Sequence, residues 1–476
     1  MSSSNNFIKD SIGLLLNRGS VIVANLSIII LFSHILQKDT YGAFQSFWFQ
    51  LSIYSTIAGL GLSIYLYSYS KEKINTLLKI IFKRYLYKYL LLLSILSIAF
   101  VCNITFSNAT LASSSISKLC IFFYFLTFSV NLILETFNII FDNIRKVVII
   151  AWLYTLSYIL TSIAYAENYI NLDFYLLILA CISSFKTILL GAWMYHKIDL
   201  KNTHNLENAH TVIQQAKKHW LHIGIYDILQ LIFRNIDKLI ISYLVSKALL
   251  ATYFNATYEI PIFALVFSSI QNASLLRINK QAPNDQEIAR ITLNSNIFLG
   301  IFISAALTFL AIYNVQFLTL VFSEKYAAAS GLFLVALIKV PSYCFNLNPY
   351  FQYKERGDIL NKGLVIDIIC TLMLMLPLYY LLSLEGILIA TIIGTYTQIG
   401  YNIYQFNKHS KIAITKFIPI KEWTIYLLLF GGINVALYYL LELIQQKTMI
   451  NMFIQFGITG IIAIVLLYKH YRSSLN

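Results

Sequence analysis

The sequence predicts an all-α polytopic membrane protein of about fourteen transmembrane helices, from three observations. The chain has 476 residues, 58% of them hydrophobic and 12% charged, with a mean hydropathy of +0.69. A soluble domain carries about 25% charged residues, so this composition belongs in a bilayer. Six prolines and eighteen glycines favour long uninterrupted helices. The apolar stretches run for about twenty residues, the length that crosses a hydrocarbon core about 30 Å thick. They lack the alternation over about ten residues that marks a membrane β-strand.

Taken in order, the apolar runs occupy 13–36, 43–69, 86–106, 119–141, 147–166, 174–195, 220–245, 251–273, 292–313, 328–350, 363–383, 386–406, 423–442 and 452–468. The segment leading into the first, MSSSNNFIKDSIGLLLNRG, has no short apolar core ending in a small-residue cleavage site, so it is expected to remain on the mature chain. The two longest hydrophilic connections, 70–85 and 196–219, are too short for a globular domain. Five of the eight histidines (His196, His204, His210, His219, His222) surround the second connection at spacings that match no tight ligand pair. Five cysteines, an odd number without a C-x-x-C, make no disulfide framework. Neither a metal nor a cofactor is expected. No P-loop, nucleophile elbow or zincin motif occurs, so no enzyme is expected either.

With the N-terminus inside, 26 of the 35 Lys and Arg fall in cytoplasmic segments, five in outside loops and four within spans. That imbalance places both termini in the cytoplasm. It also accounts for the net charge of +14 without a nucleic-acid partner. Shifting the chain by 209 residues lays SHILQKDTYGAF (33–44) over SYLVSKALLATY (242–253), matching Ser33 to Ser242, Lys38 to Lys247 and Phe44 to Tyr253. The same shift superimposes the first span on the seventh. The repeat divides the chain into a six-span lobe (1–195), a linker (196–219), a second six-span lobe (220–406) and two additional spans with a tail (407–476).

The seventh span carries Asp227, Gln230, Arg234, Asp237 and Lys238 within an arc of about 100°. Each charge costs roughly 2.5–3.5 kcal/mol near the centre of a membrane helix, so this face needs water, a partner helix or a charged ligand. Counted from the span ends, Lys186, Arg234 and Lys339 lie roughly 15–20 Å deep, near the midplane. Any one of them alone fits an interhelical ion pair; three from different spans point to an anionic group handled within the membrane. Asp237 is a candidate counter-ion, and Asp227 and Glu259 lie nearer the interfaces. In the fourth span Thr127, Asn131, Glu135, Asn138 and Asp142 share an arc of about 80°. They fit either a cavity wall, with Glu135 a proton or sodium site, or helix–helix hydrogen bonding. Arg18 and Asn25 share one face of the first span, where Arg18 can also snorkel to the inner surface. Pro261 and Pro341 are placed to bend the eighth and tenth spans.

Three passages resemble the O-antigen translocase (Wzx) branch of the multidrug/oligosaccharidyl-lipid/polysaccharide exporter superfamily. They are 35–67, with Tyr41-Gly42 at the turn and Gly59 and Gly61 beyond; 234–256, with Asp237, Lys238 and Tyr253; and 322–341 with Tyr326, joined by 384–394 with Gly386. The second lobe often has glycine where this chain has Ala251. The resemblance implies two lobes around a central cavity and alternating access in a bacterial inner membrane. It implies a polyprenyl-diphosphate-linked glycan moved between leaflets, with membrane lipids and other polysaccharide assembly proteins as partners. Lys186, Arg234 and Lys339, with Lys238 and Arg18, would then meet the diphosphate, and Asn25, Asn131, Asn138 and Gln230 would line the cavity. An ion-coupled exporter of small amphiphiles is the alternative, because acids inside spans slightly outnumber bases. A membrane polymerase or ligase is more remote, because every outside loop is short.

Overall fold

Most apolar runs become long helices; two of them break, at Pro261 and Pro341, whereas Pro377 sits inside a continuous helical arm. The computed structural model describes residues 2–59, 62, 86–108, 110–141, 144–197, 228–229, 231, 235–281, 283–444 and 448–475. Among them every regular element is helical. The first half comprises α1 (Ser2–Ile35), α2 (Lys38–Gly59), α3 (Leu86–Ser107), α4 (Ser115–Ile140), α5 (Ile144–Ala166) and α6 (Leu172–Lys197). There follow α7 (Ile236–Leu244), α8 (Lys247–Ala256), α9 (Pro261–Gln281), α10 (Asp285–Ile312), α11 (Asn314–Phe322), α12 (Ser330–Leu337) and α13 (Asn348–Tyr353). The chain closes with α14 (Gly357–Ser410), α15 (Ile420–Leu443) and α16 (Thr448–Leu475). Ten helices among the described residues are long and apolar enough to cross a bilayer.

Departures from the expected spans have local causes. The eighth span is not one bent helix: α8 ends at Ala256 and Pro261 starts α9, where its missing N–H costs nothing. The tenth span is interrupted by a 3₁₀ turn, Val340–Cys344, that opens on Pro341. Nearby, the Ile338 carbonyl accepts a hydrogen bond from the Tyr396 hydroxyl of α14 (2.7 Å). The 54 residues of α14 are two arms, broken at Ser383 (φ 54°, ψ −132°). A side chain at Gly386 would strike the Leu378 carbonyl, and one at Gly394 would strike Thr371 and Asp367. The arms 357–382 and 384–410 are therefore an antiparallel hairpin closed through small residues, the expected eleventh and twelfth spans.

The described chain forms two compact units, Met1–Ala251 and Thr252–Asn476. In the first, α1 packs along α5 and α4 along α6, with α2 against α3 and α4. Thr155 on α5 donates to the Ser20 carbonyl on α1 (3.2 Å), and Asn103 on α3 donates to Gln50 on α2 (2.9 Å). An aromatic cluster of Phe32, Phe44, Tyr165 and Tyr175 joins α1, α2, α5 and α6. In the second unit α15 and α16 pack on α10. Asn434 donates to Thr308 (2.9 Å), and its side-chain oxygen accepts from Gln455 (2.9 Å) and Thr459 (2.7 Å). Gln455 in turn accepts from the Tyr313 hydroxyl (2.9 Å). The last two helices are thus bonded to the tenth helix through a buried network without formal charge. All five cysteines are free thiols.

Candidate functional site

The polar stripe of the fourth span becomes one side of the α4–α6 seam. Ser114 caps α4 through a reciprocal box with Ser117, and its hydroxyl also donates to Asp173 in the first turn of α6 (2.7 Å). Further along, Thr127 donates to Ser183 (2.8 Å), and Asn131 reaches the Ser183 carbonyl and hydroxyl (3.2 Å each). Thr187 donates to Asn131 (3.0 Å), and Asn138 to the Leu190 carbonyl (3.0 Å). The offset between partners stays near-constant, at 52 to 59 residues, so the two helices run parallel. Asn131 and Asn138 are buried in this seam and tie the helices together.

The same seam brings Lys186 and Glu135 together. The Lys186 Nζ lies 2.5 Å from Glu135 Oε1, and their side chains are 11% and 15% exposed. The ammonium also sits 4.5 Å from the centre of the Tyr154 ring on α5. The Tyr154 hydroxyl is 3.3 Å from that of Tyr124 on α4. A carboxylate and an aromatic face therefore meet a cation inside an apolar helix bundle, where an unpaired charge is costly. Glu135 stands five residues before the end of α4 and Lys186 eleven before the end of α6, about 8 Å and about 17 Å of helix rise. The pair lies toward the C-terminal end of α4 and near the middle of α6.

Lys339 is half-buried just before the 3₁₀ turn at Pro341, within electrostatic range of Asp367 on the first arm of α14. Asp367 accepts from Thr371 (3.1 Å). Asp237, buried, lies in the first turn of α7, where the helix dipole favours an acid, and Lys238 follows it with its ammonium 3.5 Å from Asn235. Glu259 is half-buried in the break between α8 and α9, and Asn25 is exposed on α1. Asp227, Gln230, Arg234 and Asp142 lie outside the described residues, as does the side chain of Arg18.

A second constellation joins the two turns related by the 209-residue shift. The Asp39 carboxylate, in the first turn of α2, accepts from the Ala248 N–H at the start of α8 (3.1 Å). A Cβ at Gly42 would overlap the Lys247 carbonyl, so the backbones touch where only glycine fits. Positions 39 and 248 are repeat equivalents, which makes this a contact of the repeat with itself. Sequence reasoning placed Gly42 at a turn but missed Asp39, Tyr154, Ser183 and Thr187. Ser183, Lys186, Thr187 and Leu190 fall on one helical face, a signal that pairs with the stripe of the fourth span. Tyr154 has no comparable signal in a chain with 34 tyrosines.

No protein-family model matches the sequence, and a comparison with curated proteins finds no match. Among solved structures the chain is similar to the lipid II flippase MurJ in an inward closed conformation, at a TM-score of 0.66 and 15% identity over 98% of this chain and 100% of that one. It is also similar to an inward-facing multidrug resistance MATE family transporter of the MOP superfamily (TM-score 0.58, 14% identity, 83% of this chain and 95% of that one). A third similar structure is a MOP superfamily transporter from Pyrococcus furiosus described as having a binding pocket of reversed polarity (TM-score 0.55, 11% identity, 85% and 95%). At these identities the likeness concerns the fold, and the fold is that of MOP-superfamily transporters.

Proposed function

We propose that this chain, with the fold of the MOP-superfamily transporters, moves a polyprenyl-diphosphate-linked glycan between the leaflets of a bacterial inner membrane. Both termini face the cytoplasm in this reading, and the lobes 1–195 and 220–406 take part in alternating access. The single observation that carries it is Lys186, a lysine deep in a membrane helix, with its charge met by one carboxylate and one aromatic face. A diphosphate entering a low-dielectric passage needs such a cation at the depth it crosses. The lipid II flippase among the similar folds supports a lipid-linked substrate. Arg234, Lys339, Lys238 and Arg18 are the further cations assigned to that task, and Glu135, Asp237, Asp227 and Glu259 the counter-ions or coupling acids.

The second reading, an ion-coupled exporter of small amphiphiles, is favoured by the carboxylates beside the described cations: Glu135 beside Lys186 and Asp367 beside Lys339. Reconstituted vesicles separate the two. A fluorescent polyprenyl-diphosphate sugar should become accessible in the opposite leaflet with the wild-type chain and not with Lys186→Ala or Lys339→Ala. Transport of a cationic dye without movement of the lipid probe would favour the exporter. In a host whose surface polysaccharide depends on this chain, normal polysaccharide from correctly inserted Lys186, Arg234 and Lys339 alanine variants would remove the cation assignment. Unchanged flipping after collapse of the proton gradient would remove Glu135 and Glu259 as proton sites.

A further inference from the structure

The Glu135 carboxylate presents to the Lys186 ammonium the same kind of anionic oxygen acceptor that a phosphate would. We infer that Glu135 is a built-in competitor for the substrate anion: the diphosphate displaces it from Lys186, and the displaced carboxylate takes up one proton. This rests on the reading of Lys186 as the substrate cation and adds to it the coupling of headgroup binding to a proton.

Three features carry the inference. First, the pair is closed at one Oε1–Nζ contact, which leaves the remaining ammonium donors to the Tyr154 face or to an incoming group. Second, the pair is not sealed: the Lys186 and Glu135 side chains keep 11% and 15% exposure, with Ser183 and Asn131 buried and Thr187 half-buried in the same seam. Third, the surroundings contain little else that changes charge. Apart from the pair itself and groups toward the helix ends (Lys38, Asp39, Lys88, Lys118, Arg145, Lys146, Asp173, His196), the described titratable side chains along α2, α3, α4, α5 and α6 are phenols and thiols, neutral near pH 7. The phenols nearest the pair are Tyr124 and Tyr154, with Tyr158 beside Tyr154.

The proton balance follows from the charges. Before binding, the Lys186 ammonium faces the Glu135 carboxylate as a pair. After binding, Glu135 faces a diphosphate with its cation withdrawn, in a medium where two like charges repel strongly, and it becomes neutral by taking a proton from water. One proton enters per headgroup bound and no bond to carbon or phosphorus changes. Binding therefore strengthens as pH falls, by about tenfold per pH unit while one proton is taken up.

The test uses the purified full chain in detergent and a farnesyl-diphosphate N-acetylglucosamine probe, whose charge is constant across the range studied. Calorimetry in buffers of different ionisation heats gives affinity and protons together. Wild type should take up one proton per probe bound and bind about tenfold tighter for each pH unit lost between about pH 8 and about pH 6. Glu135→Gln should bind tightly with no proton uptake and a flat pH profile. Lys186→Arg should behave like wild type. Lys186→Met with Glu135→Leu, which leaves no buried charge unpaired, should stay folded and lose binding. Wild type and Glu135→Gln binding alike, without proton uptake, overturns the competition and leaves the transporter reading intact. Wild type failing to bind the probe at any pH overturns both.

Discussion

In the first unit Thr127, Asn131, Ser183 and Thr187 bond α4 to α6. In the second, Thr308, Asn434, Gln455 and Thr459 bond α10 to α15 and α16. Both seams use hydroxyls and amides between membrane helices, where each such bond contributes roughly 0.6–2 kcal/mol. They differ in what the seam adjoins. Asn434 and Gln455 are fully buried, and the amide oxygens and nitrogens of both are engaged. That seam is complete in itself and fixes the last two helices to their unit. The α4–α6 seam runs instead into a charged pair that keeps some exposure. Neutral amides suffice for holding helices together. A charge in the bilayer carries a costly desolvation that neutral groups avoid, and under the proposed function the pair is where the substrate anion is met.

That contrast can be broken in measurable ways. The largest effect should come from Lys186→Ala, which strands Glu135 in an apolar bundle and destabilises the chain by about 3 kcal/mol. Removing both charges together should restore most of the thermal stability in detergent and leave transport absent. Full transport by the double variant would reduce the ion pair to a structural contact. Next is Gly42→Val. Its side chain has no space against the Lys247 carbonyl, so it should cost about 1–3 kcal/mol or part the two turns, seen as a lower Tm or as greater thiol reactivity in an Ala248→Cys background.

Gln455→Leu tests the neutral seam. It leaves the Tyr313 hydroxyl and the Asn434 side-chain oxygen short of a partner and should cost about 1–2 kcal/mol. Transport per folded molecule should be unchanged, and a variant that folds normally but transports poorly would blur the division between the seams. The smallest effect belongs to Thr187→Val, which removes one hydroxyl from the α4–α6 seam, about 0.6 kcal/mol in a denaturation midpoint.

Much of the fold was legible because bilayer physics leaves few options. Runs of about twenty apolar residues are helices wherever the backbone must satisfy its own hydrogen bonds. The stripe of Asn131, Glu135 and Asn138 was legible as one helical face, and Lys186 as a deep cation. What was not legible was that these are two sides of one seam, because partner choice between helices some 50 residues apart depends on packing rather than periodicity. Pro261 and Pro341 were read as bends, yet one starts a new helix and the other opens a 3₁₀ turn. The difference lies in which tertiary groups, such as the Tyr396 hydroxyl, receive the carbonyls set free.

The sequence by itself determined that this is a polytopic helical membrane protein and which residues carry charge into the bilayer. Composition and periodicity are local, additive signals against a uniform solvent, and they survive without any knowledge of neighbours. The tertiary structure alone decided that Lys186 meets Glu135 over Tyr154, and that Asp39 caps α8 across a turn that only Gly42 allows. A charge costs several kcal/mol in hydrocarbon and much less beside its counter-ion, so what it does is set by the group that stands opposite it.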